Sequence, residues 1–165
     1  MDYFAELLCN RYQSKGVLID TNLLLVYFVG MFDPERIPRF KRTMAFTVED
    51  FYLLANFFKF FSKVVTTPNI LTEVNSLSNQ LPDNLKSSYY PEFAKQLVNL
   101  EEHYMESRRI AVLPHFNKFG LTDAGIVELV REKYLVLTDD LKLVGYLQNA
   151  NIDVINFNNI RVLNW

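Results

Sequence analysis

Five carboxylates stand along this chain where they could build one acidic site. Asp20 directly follows the apolar run Val17-Leu18-Ile19, and Asp139 and Asp140 follow Tyr134 to Leu137 after Thr138. Asp123 opens a helical pattern, and Glu73 lies about one turn into the helix that follows Val64 to Thr66. Carboxylates gathered in one cleft repel one another and raise one another's pKa, so they are tolerated mainly where a cation neutralises them. All-oxygen donors favour a hard divalent ion, Mg²⁺ or Mn²⁺, that keeps several waters. Such an ion can activate a water and stabilise the departing oxygen of a phosphodiester, which is nuclease chemistry. Each acid also has a plainer reading. Asp123 suits the positive end of a helix dipole, Glu73 a solvated helix face, and Asp139 and Asp140 a turn that caps the next helix. Asp20 is the hardest to explain plainly, because an ionised group behind three large apolar residues needs a partner. The joint pattern carries the inference. His103 and His115 lie outside it, and the chain has no Gly-rich phosphate loop or nucleophile elbow.

The elements that must position these acids can be read from periodicity. Phe4, Leu7, Leu8 and Tyr12 repeat at helical spacing, so residues 1–15 predict an N-terminal helix that stops at Gly16. Val17 to Ile19 reads as a buried strand that runs through Asp20-Thr21-Asn22 into a helix over Leu23 to Met31. Asp33-Pro34 breaks that helix, and Thr47 with Asp50 predicts a capping box opening a helix over Val48 to Phe61. Lys63 to Thr66 predicts a strand, and Pro68 the first turn of a helix over Asn69 to Ser78. Gln80 to Ser88 reads as a loop, Pro91 to Arg109 as one long helix, and Ile110 to Leu113 as a short strand or a connector. Thr122 predicts the cap of a helix over Asp123 to Lys133; strand Tyr134 to Leu137, helix Leu141 to Asn149 and strand Ile152 to Ile155 follow. Alternation of strands and helices predicts an α/β fold with a central parallel sheet covered on both faces. In such sheets the ligand crevice lies beyond the carboxyl ends of the strands, where the acids fall.

Composition narrows the function classes. At 165 residues the chain fits one domain over 1–165, and 14 Phe, 9 Tyr and 1 Trp supply ample core. Charged residues are 22%, too few for a disordered chain, and the net charge of −2 excludes binding by bulk positive charge. The acidic, amphipathic start lacks the basic, apolar pattern of a secretory signal, and the greasiest run, Leu23 to Phe32, is too short to span a bilayer. With a single cysteine, Cys9, no internal disulfide can form. A cytoplasmic location without membrane association is the expectation.

At these positions the chain resembles the PIN-domain family of metal-dependent ribonucleases. The matching pieces are Val17-Leu18-Ile19-Asp20-Thr21-Asn22, Thr67-Pro68-Asn69-Ile70-Leu71-Thr72-Glu73-Val74, Leu121-Thr122-Asp123-Ala124 and Val136-Leu137-Thr138-Asp139-Asp140. Their order covers about residues 16 to 156. The resemblance implies a three-layer α/β/α fold with an acidic Mg²⁺ or Mn²⁺ site. Asp20 would be the central metal ligand, Glu73 the second acid, Asp123 the third and Asp140 the fourth, with Asp139 competing for that last role. Thr21, Asn22 and Thr138 would hydrogen-bond the ligands and fix their orientation. The N-terminal helix and the insertion over 33–61 exceed the compact form of VapC-type toxins. Phe residues at 51, 57, 58, 60 and 61 make that insertion more core than surface.

Nucleic-acid binding needs local positive charge rather than a positive total. The segment Arg36-Ile37-Pro38-Arg39-Phe40-Lys41-Arg42 could hold phosphates through Arg36, Arg39, Lys41 and Arg42 and offer Phe40 to an unpaired base, or be only a solvated loop. The expectation is therefore an endoribonuclease with RNA as substrate, in the role of a toxin inhibited by an antitoxin protein, with homodimerisation implied by the family. The rivals are a structure-specific DNA nuclease and a catalytically silent PIN-like module that binds nucleic acid or protein. An aspartyl-phosphate receiver fits less well, because it wants paired acids at the first strand, where Asp20 stands alone.

Overall fold

The computed structural model describes residues 3–131 and 133–162; Met1, Asp2, Glu132 and Leu163 to Trp165, which the readings above include, lie outside it. Five short strands, β1 (Val17–Ile19), β2 (Val64–Thr66), β3 (Leu100–Glu102), β4 (Leu135–Thr138) and β5 (Val154–Asn156), form one sheet in the order β3-β2-β1-β4-β5. Every pairing is parallel, with Leu18 opposite Val65 on one side and Val136 on the other. Helix α1 (Tyr3–Tyr12) leads into β1 and α9 (Phe157–Val162) follows β5; parallel neighbours need crossovers, and the helices between supply them: α2 (Thr21–Phe32), α3 (Val48–Phe58), α4 (Pro68–Ser78), α5 (Asp83–Leu97), α6 (Ser107–Ile110), α7 (Phe116–Val130) and α8 (Leu141–Asn149). From β1 the chain steps outward through β2 to β3, then returns past β1 to β4 and β5. Right-handed crossovers in the two directions put their helices on opposite faces, consistent with three layers. The reversal falls between β1 and β4.

The middle of the sheet is fully enclosed: every residue of β1 and β4 is buried. Helix α2 is apolar around its whole circumference and buries Leu23, Leu24, Leu25, Val26, Phe28 and Val29, as a central helix must. It packs against α3, α4 and α5. At Gly30 the ring of Phe51 lies so close that a Cβ would stand 2.2 Å from it, so the absence of a side chain sets the approach of α2 and α3. Tyr27 packs against Phe58 at 4.6 Å, joining the insertion to the core, and Phe28 packs against Phe93 of α5 at 4.6 Å. Phe51, Phe57, Phe58 and Phe61 are buried and Phe60 is 43% exposed, so the expectation that this segment is core holds for four of the five rings. The capping box of Thr47 and Asp50 forms as expected, and Cys9 is buried in the core.

Three readings of the sequence are corrected. The segment read as a loop over Gln80 to Ser88 is helical from Asp83, because Tyr89 and Phe93, one turn apart, bury the face of α5. The long helix expected over Pro91 to Arg109 ends at Leu97 and gives way to β3; Ile110 to Leu113 is the connector of the two alternatives and not the strand. Strand β3 is an edge strand of Leu-Glu-Glu whose residues are only partly covered, so it lacks the apolar run that marks a central strand. Third, α7 starts at Phe116 and bends at Gly120, which has φ 69° and ψ −166°. Thr122 therefore lies in the first turn of the helical segment that opens after Gly120, and not at its cap. Among the described residues no helix is long and apolar enough to cross a membrane.

Candidate functional site at the strand ends

The reversal between β1 and β4 leaves a crevice at their carboxyl ends, since the chain leaves the two strands in opposite directions. Both strands deliver acids there. Asp20 ends β1 and caps α2, its Oδ1 accepting from the Leu23 N–H at 3.0 Å. Its Oδ2 accepts from the Thr138 hydroxyl across the strand gap and from the Asp139 N–H at 3.2 Å. The Thr138 hydroxyl in turn accepts from the Asp140 N–H at 3.0 Å. One threonine thus locks the end of β4 to the acid at the end of β1.

The two neighbouring aspartates divide between partners. Asp139 turns toward Asp20, and its Oδ1 accepts from the Asn22 side chain at 3.3 Å. Asp140 caps α8, with Oδ1 accepting from the N–H groups of Lys142 at 2.7 Å and Leu143 at 3.2 Å, and it acts electrostatically on Asp123. Glu73 reaches the same end from α4, where its Oε2 accepts from the Thr21 hydroxyl at 3.0 Å. Asp20, Thr21 and Asn22, consecutive at the head of α2, therefore each hold a partner in this crevice.

Burial and mutual repulsion show in the acidities. Asp20 is 5% exposed; loss of hydration, followed by the charge of Asp139, pushes its carboxyl up to about 8 against the pull of its three donors. Asp123 is pushed up to about 6, first by burial and then by Asp140 and Glu73. Asp139 is also raised, burial again leading. The structure therefore draws Asp20, Asp139, Asp123, Asp140 and Glu73 to one end of the sheet. Among the described residues, however, no three carboxylates or imidazoles converge closely enough to enclose an ion by themselves.

Asn158 was missed by sequence reasoning. Its side-chain amide donates to the Asp139 carbonyl at 3.2 Å and so pins the acidic turn from the start of α9. The signal available was Asn156-Phe157-Asn158 directly after an apolar run, a polar strand end like that after β1. His103, read as outside the strand-end pattern, does follow a strand, because β3 was unread. Its Nε2 is engaged with Glu101 at 2.8 Å and with the Tyr134 hydroxyl at 2.9 Å rather than with the acids.

The basic segment after α2 does not join the crevice. Twelve residues of α2, at 1.5 Å each, carry the chain roughly 18 Å along the helix axis from Asp20 before Arg36 is reached. Arg36 lies 3.8 Å from Asp33 and Arg39 4.0 Å from Glu35, and Arg42 donates to Gln80 at 2.8 Å beyond the far end of α4. Phe40 is 4% exposed and packed in the core, so it offers no face to a base; the expected stacking role is corrected. Compared with family models, with curated proteins and with solved structures, the chain matches none.

Proposed function

We propose that the protein is a PIN-like, metal-dependent endoribonuclease acting at the crevice between β1 and β4. The observation that carries this reading is the gathering of five acids at the topological reversal, with Asp20 and Asp123 both raised by burial and by neighbouring carboxylates. A stably folded chain has no structural need to hold mutually repelling acids in one cleft, and a cation would relieve that cost. The donor set fits Mg²⁺ or Mn²⁺ in being all-oxygen, and because no three acids among the described residues enclose an ion by themselves, waters would have to complete its shell. Asp20, Asp123, Asp140 and Asp139 would hold it, with Glu73 beside them. The ion would supply charge neutralisation at phosphate and an acidified water.

The chain's own residues do the rest. Thr138, Leu23 N–H and Asp139 N–H fix the Asp20 carboxylate, Asn22 orients Asp139, and Thr21 orients Glu73. The test is Mn²⁺-dependent cleavage of a mixed-sequence RNA, with the matching DNA in parallel. Asp20→Asn and Asp123→Asn should each abolish cleavage while circular dichroism stays native; cleavage retained in both variants sinks the proposal.

Extending the resemblance, the biological role is that of a cytoplasmic toxin held by an antitoxin protein over the acidic crevice, as a homodimer. A small DNA-binding protein encoded beside this chain would support it. A catalytically silent binding module is the second reading, favoured by the absence of a closed three-ligand cage among the described residues. If Mn²⁺ gives neither a thermal shift nor cleavage of RNA or DNA, the silent reading stands.

A further inference from the structure

Next to the acidic crevice lies a surface of rings and cations that sequence reading did not single out. It is built at the bend of α7. Gly120, with φ 69° and ψ −166°, adopts a backbone that side chains rarely allow and breaks the helix in two. The turn delivers Phe119 onto Tyr146 of α8, ring centres 4.8 Å apart and nearly perpendicular at 64°. The His115 ring centre lies 5.6 Å from that of Tyr146, and its Nε2 is 3.3 Å from the Ala124 carbonyl. Ala124 adjoins Asp123, so that contact ties the aromatic group to the acidic site.

Two lysines frame the rings. The Lys118 ammonium stands 5.0 Å from the Phe119 centroid and 5.8 Å from that of Tyr146. Lys142 sits four residues before Tyr146 on the same helix face, and its backbone N–H donates to the capping carboxylate of Asp140. Among the described residues neither ammonium is in an ion pair, and both side chains belong to exposed residues. The contrast with Arg36, Arg39 and Arg42, whose charges meet local acids or an amide, is direct.

We propose that Lys118, Phe119, Tyr146, Lys142 and His115 form the platform on which a single-stranded nucleic acid lies while its phosphate enters the acidic crevice. This rests on the nuclease reading. Partly exposed rings interleaved with unpaired cations are what a flexible strand needs: a base stacks on Tyr146 or Phe119, and flanking phosphates meet Lys118 and Lys142. A duplex keeps its bases stacked inside and gains only the charge contacts. The platform also explains how a net-acidic chain gathers a polyanion beside carboxylates, because Lys142 and Asp140 are separated by one residue.

The test is fluorescence anisotropy with a labelled mixed-sequence single-stranded RNA and its duplex, in EDTA at low salt. The wild type should prefer the single strand, and Tyr146→Leu should weaken it about 5- to 150-fold, the range that loss of one stacked base implies. Tyr146→Phe should restore affinity, which separates stacking from damage to the fold. Lys118→Gln with Lys142→Gln should flatten the slope of log affinity against log salt by about 1.4. Arg39→Ala with Lys41→Ala should bind as wild type. Equal binding of strand and duplex, wild-type affinity in Tyr146→Leu, or loss that follows Arg39 and Lys41 instead would each overturn the platform. Mn²⁺-dependent hydrolysis of bis-p-nitrophenyl phosphate by the wild type, which needs no stacked base, reports the acidic crevice separately. Its absence would therefore count against the nuclease reading and not against the platform.

Discussion

The charge buried at Asp20 makes a prediction that needs no substrate. Its carboxyl is raised to about 8 in the fold, against an ordinary aspartate value when unfolded. The sign follows from linkage. Below about pH 4 both states carry the proton; as pH rises the unfolded chain releases it first, so stability falls until the folded group also ionises near pH 8. At 1.36 kcal/mol per unit, the loss between pH 5 and pH 8 is at most about 4 kcal/mol. For a chain of 165 residues that corresponds to roughly 10 °C in Tm. Asp20→Asn removes the titration but keeps one acceptor oxygen for three donors, so the Asp139 N–H loses its partner at a cost of about 1–3 kcal/mol. The variant should therefore be less stable than wild type at pH 5 and equal or more stable at pH 8. Urea unfolding followed by circular dichroism in EDTA measures both. Asp123, raised to about 6, is mostly ionised by pH 7, so the difference between pH 7 and pH 8 rests mainly on Asp20 and its neighbour Asp139. A constant gap between variant and wild type across this range would refute the claim that burial holds a costly charge here.

Three further outcomes follow from the packing. Gly30→Ala drives a methyl group into the Phe51 ring and should cost about 1–3 kcal/mol in urea unfolding, partly recovered by Phe51→Leu in the same chain. Arg161→Met strands the buried Asp50 carboxylate, which it meets at 2.6 Å, and should cost about 3–5 kcal/mol by the same measurement. Cys9 is buried and its thiol is pushed up to about 11, first by burial, so at pH 8 it should react with an aromatic disulfide reagent only as fast as the protein unfolds.

What the sequence made legible follows how strongly each element is buried. Strands β1 and β4 are buried from end to end, so their apolar runs stood out, and the acids that follow them stood out with them. Strand β3 lies at the edge with Glu101 and Glu102 partly in solvent, and nothing in Leu-Glu-Glu separates it from a helix. The first half of α5 reads as a loop because Gln80 to Ser88 is polar and contains Pro82, and Pro91 reads as the start of a helix, yet Pro82 sits just before the first turn and burial of Tyr89 and Phe93 carries the helix through Pro91. The basic run 36–42 read as a binding loop because charge is visible in one dimension, whereas the pairing of Arg36 and Arg39 with Asp33 and Glu35 and the burial of Phe40 are not.

The same limit explains why the aromatic surface beside the crevice escaped notice. Its parts come from α7 and α8, 27 positions apart between Phe119 and Tyr146, and meet only because Gly120 bends one helix against the other. Acids at strand ends need no such coincidence, since the parallel sheet aligns every carboxyl end on one edge. Topology therefore concentrates the acids, while a single glycine brings rings and cations to the same edge. The acids at the ends of β1 and β4 are therefore independent of the Gly120 bend, whereas the rings and Asp123, three residues after the glycine, depend on it, so alteration of the bend should shift affinity for a polymer without moving Asp20, Asp139 or Asp140.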